Sequence, residues 1–140
     1  MCCEMAIHHR PIIPELTHAE IASAFGGDLM LLNGFDCLNP KLYGVEGSAN
    51  PIERLKELCG RPVGANLEPV DLEAEMLETR LVIPAGRICS KETLKSAEAL
   101  GLDFICLTGN PGTGVTNQAI AQAIQKAKKY FTGVIIAGKM

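Results

Sequence analysis

Short, unbroken apolar runs recur along this chain at intervals that leave room for a helix between them. DLMLLN (28–33), DFICLT (103–108) and GVIIAGKM (133–140) are too short for helices and too uniformly apolar for strands with one wet face, so they read as buried strands. CCEMAI near the start and RPVGANLEP (61–69), bounded by prolines, supply two more. The intervening helices carry their own start and stop signals. Thr17-x-x-Glu20 is a capping box opening a helix to Phe25, which Gly26 and Gly27 close. Asn50-Pro51-Ile52-Glu53 offers an N-cap, a proline at the first helical position and an acidic first turn, and that helix ends at Gly60. Ser90 caps a helix through Leu100. The segment 117–130 sets Ile120, Ala123, Ile124 and Ala127 opposite Lys126, Lys128 and Lys129. The acidic stretch from Asp71 to Thr79 is expected to be helical, and RLVIPAGR (80–87) to be a loop or a short extra strand.

Strands alternating with helices predict an α/β fold, one domain over residues 1–140, built on a parallel sheet. Two arrangements satisfy the pattern. A chain of 140 residues favours a doubly wound open sheet, since a complete (β/α)8 barrel takes about 250. Side-chain parity favours part of a barrel. One face of the strands presents Met5, Ile7, Met30, Leu32, Val63, Ala65, Leu67, Ile105, Leu107, Val134 and Ile136, all aliphatic. The other presents Glu4, His8, Leu31, Asn33, Gly64, Asn66, Glu68, Cys106, Thr108, Asn110, Ala137 and Lys139. Its polar members gather at the C-terminal strand ends, where a barrel keeps its active site.

Composition narrows the function. The chain is 47% hydrophobic but only 4% aromatic, so its core is aliphatic. A net charge of -3 with both signs intermixed gives no basic stripe, which argues against a nucleic-acid partner. No apolar run approaches the ~20 residues that span a bilayer, and the N-terminus lacks a signal-peptide pattern, so a cytoplasmic chain without a membrane segment is expected. The six cysteines show no metal-knuckle spacing and read as buried, reduced thiols.

The loop TGNPGTGVT (108–116) has Gly109, Gly114 and Thr116 at the spacing of a nucleotide-binding P-loop, but Val115 stands where the lysine belongs. Without that lysine the clamp on the terminal phosphates is missing, so an NTPase is not expected. The loop still follows a strand and opens a helix, a setting that favours anions. Thr108, Asn110, Gly112, Thr113 and Gly114 are therefore candidate substrate-binding residues for a monophosphate or carboxylate. The competing reading is a Gly/Pro turn that only caps the helix. Asn33, Asn66, Asp36, Glu68 and Lys139 form a second constellation near the strand ends. Asp36 and Glu68 are candidates to hold Mg²⁺ or act as general base, Lys139 to form a Schiff base or neutralise an anion, and Asn33 and Asn66 to bind substrate. The competing reading is a set of buried polar links between strands and loops. Glu4 with His8 and His9 is a third group, of which only His8 shares the face of Glu4.

Three runs, RPIIPELTHAEIASAFGGDLMLLNGFD, GRPVGANLEPVD and LDFICLTGNPGTGVTNQAI, resemble an uncharacterised bacterial family of (β/α)8-barrel proteins loosely labelled phosphonomutase-like or haloacid-dehalogenase-like. The resemblance implies a barrel of which this chain is the first half or so, and it implies no catalytic residues. Neither label has its chemistry here, since the dehalogenase D-x-D-x-[TV] and the phosphonomutase D-x-D motifs are missing. An incomplete barrel leaves sheet edges unpaired and favours self-association. The expected function is a lyase- or isomerase-type enzyme acting on a small anionic metabolite, phosphorylated or carboxylated. Its rivals are a non-catalytic metabolite-binding or regulatory protein and an inactive fragment.

Overall fold

The computed structural model describes residues 1–76 and 78–138, the side chain of Pro111 excepted. Five parallel strands, β1 (Cys2–Ala6), β2 (Leu29–Asn33), β3 (Val63–Asn66), β4 (Phe104–Leu107) and β5 (Val134–Ala137), lie side by side in chain order. The helices α1 (His18–Ala24), α2 (Pro51–Cys59), α3 (Lys91–Ala99) and α4 (Asn117–Tyr130) return the chain between them. The α/β class and the parallel sheet are as the sequence predicts. A doubly wound sheet reverses its strand order at a switch point, whereas this order advances without reversal, as in a segment of a barrel. Right-handed crossovers between successive neighbours put their helices on one face.

The core lies between that face and the helices. Met5, Met30, Leu32, Val63, Ala65, Ile105 and Leu107 from alternate strand positions join Ala19, Ile52, Leu55, Leu94, Ala97, Ala123 and Ala127 from the helices in one buried cluster. The caps form where the sequence places them. The Thr17 hydroxyl accepts from the Glu20 amide at 3.2 Å, and the Glu20 carboxylate accepts from the Thr17 amide at 2.8 Å. Ser90 and Thr93 repeat this box at α3, and Gly60 closes α2 in the left-handed conformation at φ 63°. Asp103 ties the entrances of two strands together. Its carboxylate accepts from the Val63 amide at 2.8 Å and pairs with Lys56 Nζ at 2.8 Å.

Two expectations fail and one is decided. The stretch from Asp71 to Thr79 is not helical in its described residues. Its carbonyls are taken by Arg80, which donates to the oxygens of Asp71, Leu72 and Ala74, the groups a helix would bond internally. RLVIPAGR takes the loop form of its two expected ones and ends in a short 3₁₀ turn, Ala85–Arg87. The parity of β5 is inverted: Ile135 pairs with Ile105 on the helix-covered face, while Val134 and Ile136 pair with Phe104 and Cys106 on the other. A run reading Val-Ile-Ile-Ala is aliphatic on both faces, so only the register decides which side is covered. Val134 is 63% exposed.

All six cysteines are free; Cys37, Cys59 and Cys89 are buried, Cys3 and Cys106 half-buried and Cys2 exposed. Burial pushes the Cys37 thiol up to about 12 and that of Cys89 to about 11, so both stay protonated and inert near neutral pH.

Asn50 caps α2 through the amides of Ile52 and Glu53 and also donates to the Leu100 carbonyl at 3.1 Å, joining the start of α2 to the end of α3. Replacing it with alanine removes both the cap and the cross-link. Urea denaturation of Asn50→Ala is expected to show a loss of about 1–2 kcal/mol with an unchanged m-value.

Candidate functional site

On the face away from the helices, strand register aligns Glu4, Leu31, Gly64, Phe104 and Val134 in one row. Phe104 lies directly over Gly64, where any side chain would collide with its ring, and is itself only 2% exposed. That aromatic floor closes the middle of the face. Beyond it, towards the C-terminal strand ends, Glu4, Asn33, Asn66, Glu68, Arg87, Thr108, Gly109 and Asn110 enclose a cavity of about 110 Å³.

Glu68 is the most firmly held of these residues. The residue is 5% exposed, and its carboxylate engages Arg87 at 3.0 Å through one oxygen, while the other accepts from the Thr113 hydroxyl at 2.7 Å. Its backbone is clamped as well: the amide donates to the Arg87 carbonyl at 2.8 Å and the carbonyl accepts from the Cys89 amide at 2.9 Å. The 3₁₀ turn brings Arg87 to this point. A guanidinium has five N–H donors, and among the described residues only Glu68 takes any from Arg87, so donors remain for the cavity.

Asn66 lines the same cavity as this pair. Its amide nitrogen donates to Glu4 at 2.9 Å, and since a carboxylate only accepts, this bond fixes which way the amide faces. The carbonyl oxygen is then buried, with no partner among the described residues. An orphaned buried acceptor costs about 1–3 kcal/mol. Cys106, next to Asn66 in the register, is held protonated by burial first, then by Glu4 and Cys2, which disfavours a thiolate nucleophile.

The glycine-rich loop is a rim and not an open cradle. Asn110 accepts from the Gly112 amide at 2.9 Å through its side chain, and its carbonyl takes the Thr113 amide at 2.9 Å. The Thr116 hydroxyl caps α4 by accepting from Ala119 and donates to Asp71 at 2.8 Å. The positive end of α4 therefore already faces a carboxylate of this chain. Gly114, at φ 75°, backs onto the Arg80 guanidinium, which also donates to the Thr113 carbonyl at 2.9 Å. Gly112 backs onto Leu81. Thr108, Asn110, Asn33, Asn66 and Glu68 thus meet at the cavity, Thr113 reaches it through Glu68, and Gly112 and Gly114 serve the rim.

Asp36 lies elsewhere. It accepts from the amides of Leu38 and Asn39 and borders a separate hollow of about 400 Å³ with His8, Lys41, Tyr43 and Glu46. Asp36 and Glu68 do not converge, and among the described residues no group of three or more His, Cys, Asp or Glu is placed to hold a metal ion. With both oxygens of Glu68 engaged, the pair expected for Mg²⁺ does not fit the ion. Lys139 lies outside the described residues.

A family described as "Domain of unknown function (DUF7916)" matches residues 1–140. The chain belongs to this family. No curated protein matches it. In this member of the family, sequence reasoning missed Arg87 and gave Glu4 only a loose place beside the histidines. Arg87 had no local signal, because its value lies in a loop that folds back on Glu68. Glu4 was legible through parity alone. No helix in the described residues is long and apolar enough to cross a membrane.

Removing the Glu68 carboxylate strips Arg87 and Thr113 of an acceptor. Glu68→Ala is expected to lose about 2 kcal/mol in urea titration, the ion pair being discounted for the partial exposure of Arg87, and Glu68→Gln about half as much.

Proposed function

We propose that this cavity binds a small metabolite bearing a carboxylate or phosphate, and that the chain acts on it by proton transfer of the lyase or isomerase kind. The observation that carries the reading is Arg87, oriented by a buried carboxylate and left with spare donors against a cavity that also holds Glu4. Planar guanidinium donors suit both acid groups. Glu4 has one oxygen bonded to Asn66, and among the described residues no partner takes the other, so Glu4 is the general base of this reading. Glu68, with both oxygens engaged, is a positioning residue for Arg87. A cavity of about 110 Å³ is small beside the ~300–1,000 Å³ of sites for drug-sized ligands, which favours a compact acid.

The reading treats the sheet as a section of a (β/α)8 barrel with its site at the C-terminal strand ends, in line with the resemblance to the phosphonomutase-like family. Among the described residues β1 and β5 each have a neighbour on one side only, and these edges are where a second copy would pair. A non-catalytic binding protein is the alternative, favoured by the engagement of Glu68, which leaves Glu4 without a second free carboxylate at the cavity.

Two variants separate the readings. Arg87→Met is expected to weaken binding of small carboxylates and phosphates about tenfold or more in NMR titration. Glu4→Gln should preserve that binding and abolish exchange of ligand C–H protons with D₂O. Undiminished affinity in Arg87→Met overturns the acid-binding reading. Binding without any proton exchange in the unaltered protein assigns the site to the non-catalytic class.

A further inference from the structure

The cavity lining holds two chemically opposite kinds of group. The Arg87 guanidinium offers spare donors. Against them stand two acceptors, the second oxygen of Glu4 and the orphaned carbonyl oxygen of Asn66. Asn66 is 9% exposed, and less than 1 Å² of that oxygen meets solvent, so bulk water does not satisfy it. Turning the amide over brings no relief, since the oxygen would then face the Glu4 carboxylate. The missing group is a hydrogen-bond donor.

We infer that the ligand is a small acid carrying a hydroxyl or amine on the first or second carbon from its acid group, with the acid on Arg87 and the donor on Asn66. This inference rests on the reading of the cavity as an acid-binding site and adds the second pole. The small cavity sets the spacing, because it leaves room only for a short skeleton. An acid without the donor fills the Arg87 side and leaves Asn66 unpaired in a drier wall. Sites built to bond a substrate O–H or N–H discriminate strongly against analogues that lack it. The lining suits a dipolar ligand better than a multiply charged anion, since Glu4 and Glu68 face a single cation, Arg87, among the described residues.

The test compares acids of one skeleton, propionate, lactate and alanine, with propyl phosphate and glycerol phosphate as the phosphate pair, titrated into the full chain and followed by ¹⁵N NMR. Lactate or alanine is expected to bind at least about tenfold more tightly than propionate, or glycerol phosphate than propyl phosphate, with the Asn66 side-chain amide signals shifting. Whichever of lactate and alanine leads identifies the donor as hydroxyl or ammonium. In Asn66→Ala the preference should disappear, while a dispersed spectrum and an unshifted Tm attest the fold. The unaltered protein decides the matter even if that variant unfolds. Equal affinity for acids with and without the donor, all weakened by Arg87→Met, overturns this inference and leaves the acid-binding site standing. If no acid of either series binds, both fall together.

Discussion

A carboxylate as deeply buried as that of Glu68 is tolerable only with partners for both oxygens, and finding them organises the mouth of the sheet. One partner, Arg87, arrives on the loop after β3, and the other, Thr113, on the loop after β4. The residue thus joins two connections that lie far apart in sequence. Arg80 reinforces the junction by drawing carbonyls from both loops onto one guanidinium, and the Leu81 amide adds a bond to the Gly112 carbonyl at 2.8 Å. What looks in sequence like a nucleotide loop is, in the fold, one side of this clasp.

The clasp explains why the site is small and polar. Glu68 holds Arg87 at the cavity, and the parallel register brings Asn66 and Glu4 to it through β3 and β1. Phe104, seated over Gly64, closes the floor, beyond which Asn33, Asn66, Glu68 and Thr108 gather. Each device needs a residue distant in sequence. The chemistry is assembled by topology and not by any contiguous motif.

That distinction separates what was legible in the sequence from what was not. Thr17, Asn50 and Ser90 announced their helices because caps act within a few residues. Asn33, Asn66, Glu68 and Thr108 were placed on one face because strand parity is a local rule. The rule failed at β5, where Val134 to Ala137 offers no polar residue to mark a side. It also could not see that Asp36 spends its carboxylate on the turn amides of Leu38 and Asn39, away from Glu68. The stretch from Asp71 read as an acidic helix, but Arg80 claims its carbonyls once the loop has folded back. Arg87 and the orphaned oxygen of Asn66 are facts of long-range packing, which no window of sequence contains.

If the two loops form one clasp, their amides open together. Native-state hydrogen exchange at Glu68, Asp71, Leu81, Cys89 and Thr113, whose amides all donate within the junction, reads this directly. The expected result is a shared opening free energy across both loops, well above that of a frayed surface turn. Protection confined to Glu68 and Cys89, with Asp71, Leu81 and Thr113 exchanging as in an unstructured chain, would contradict it.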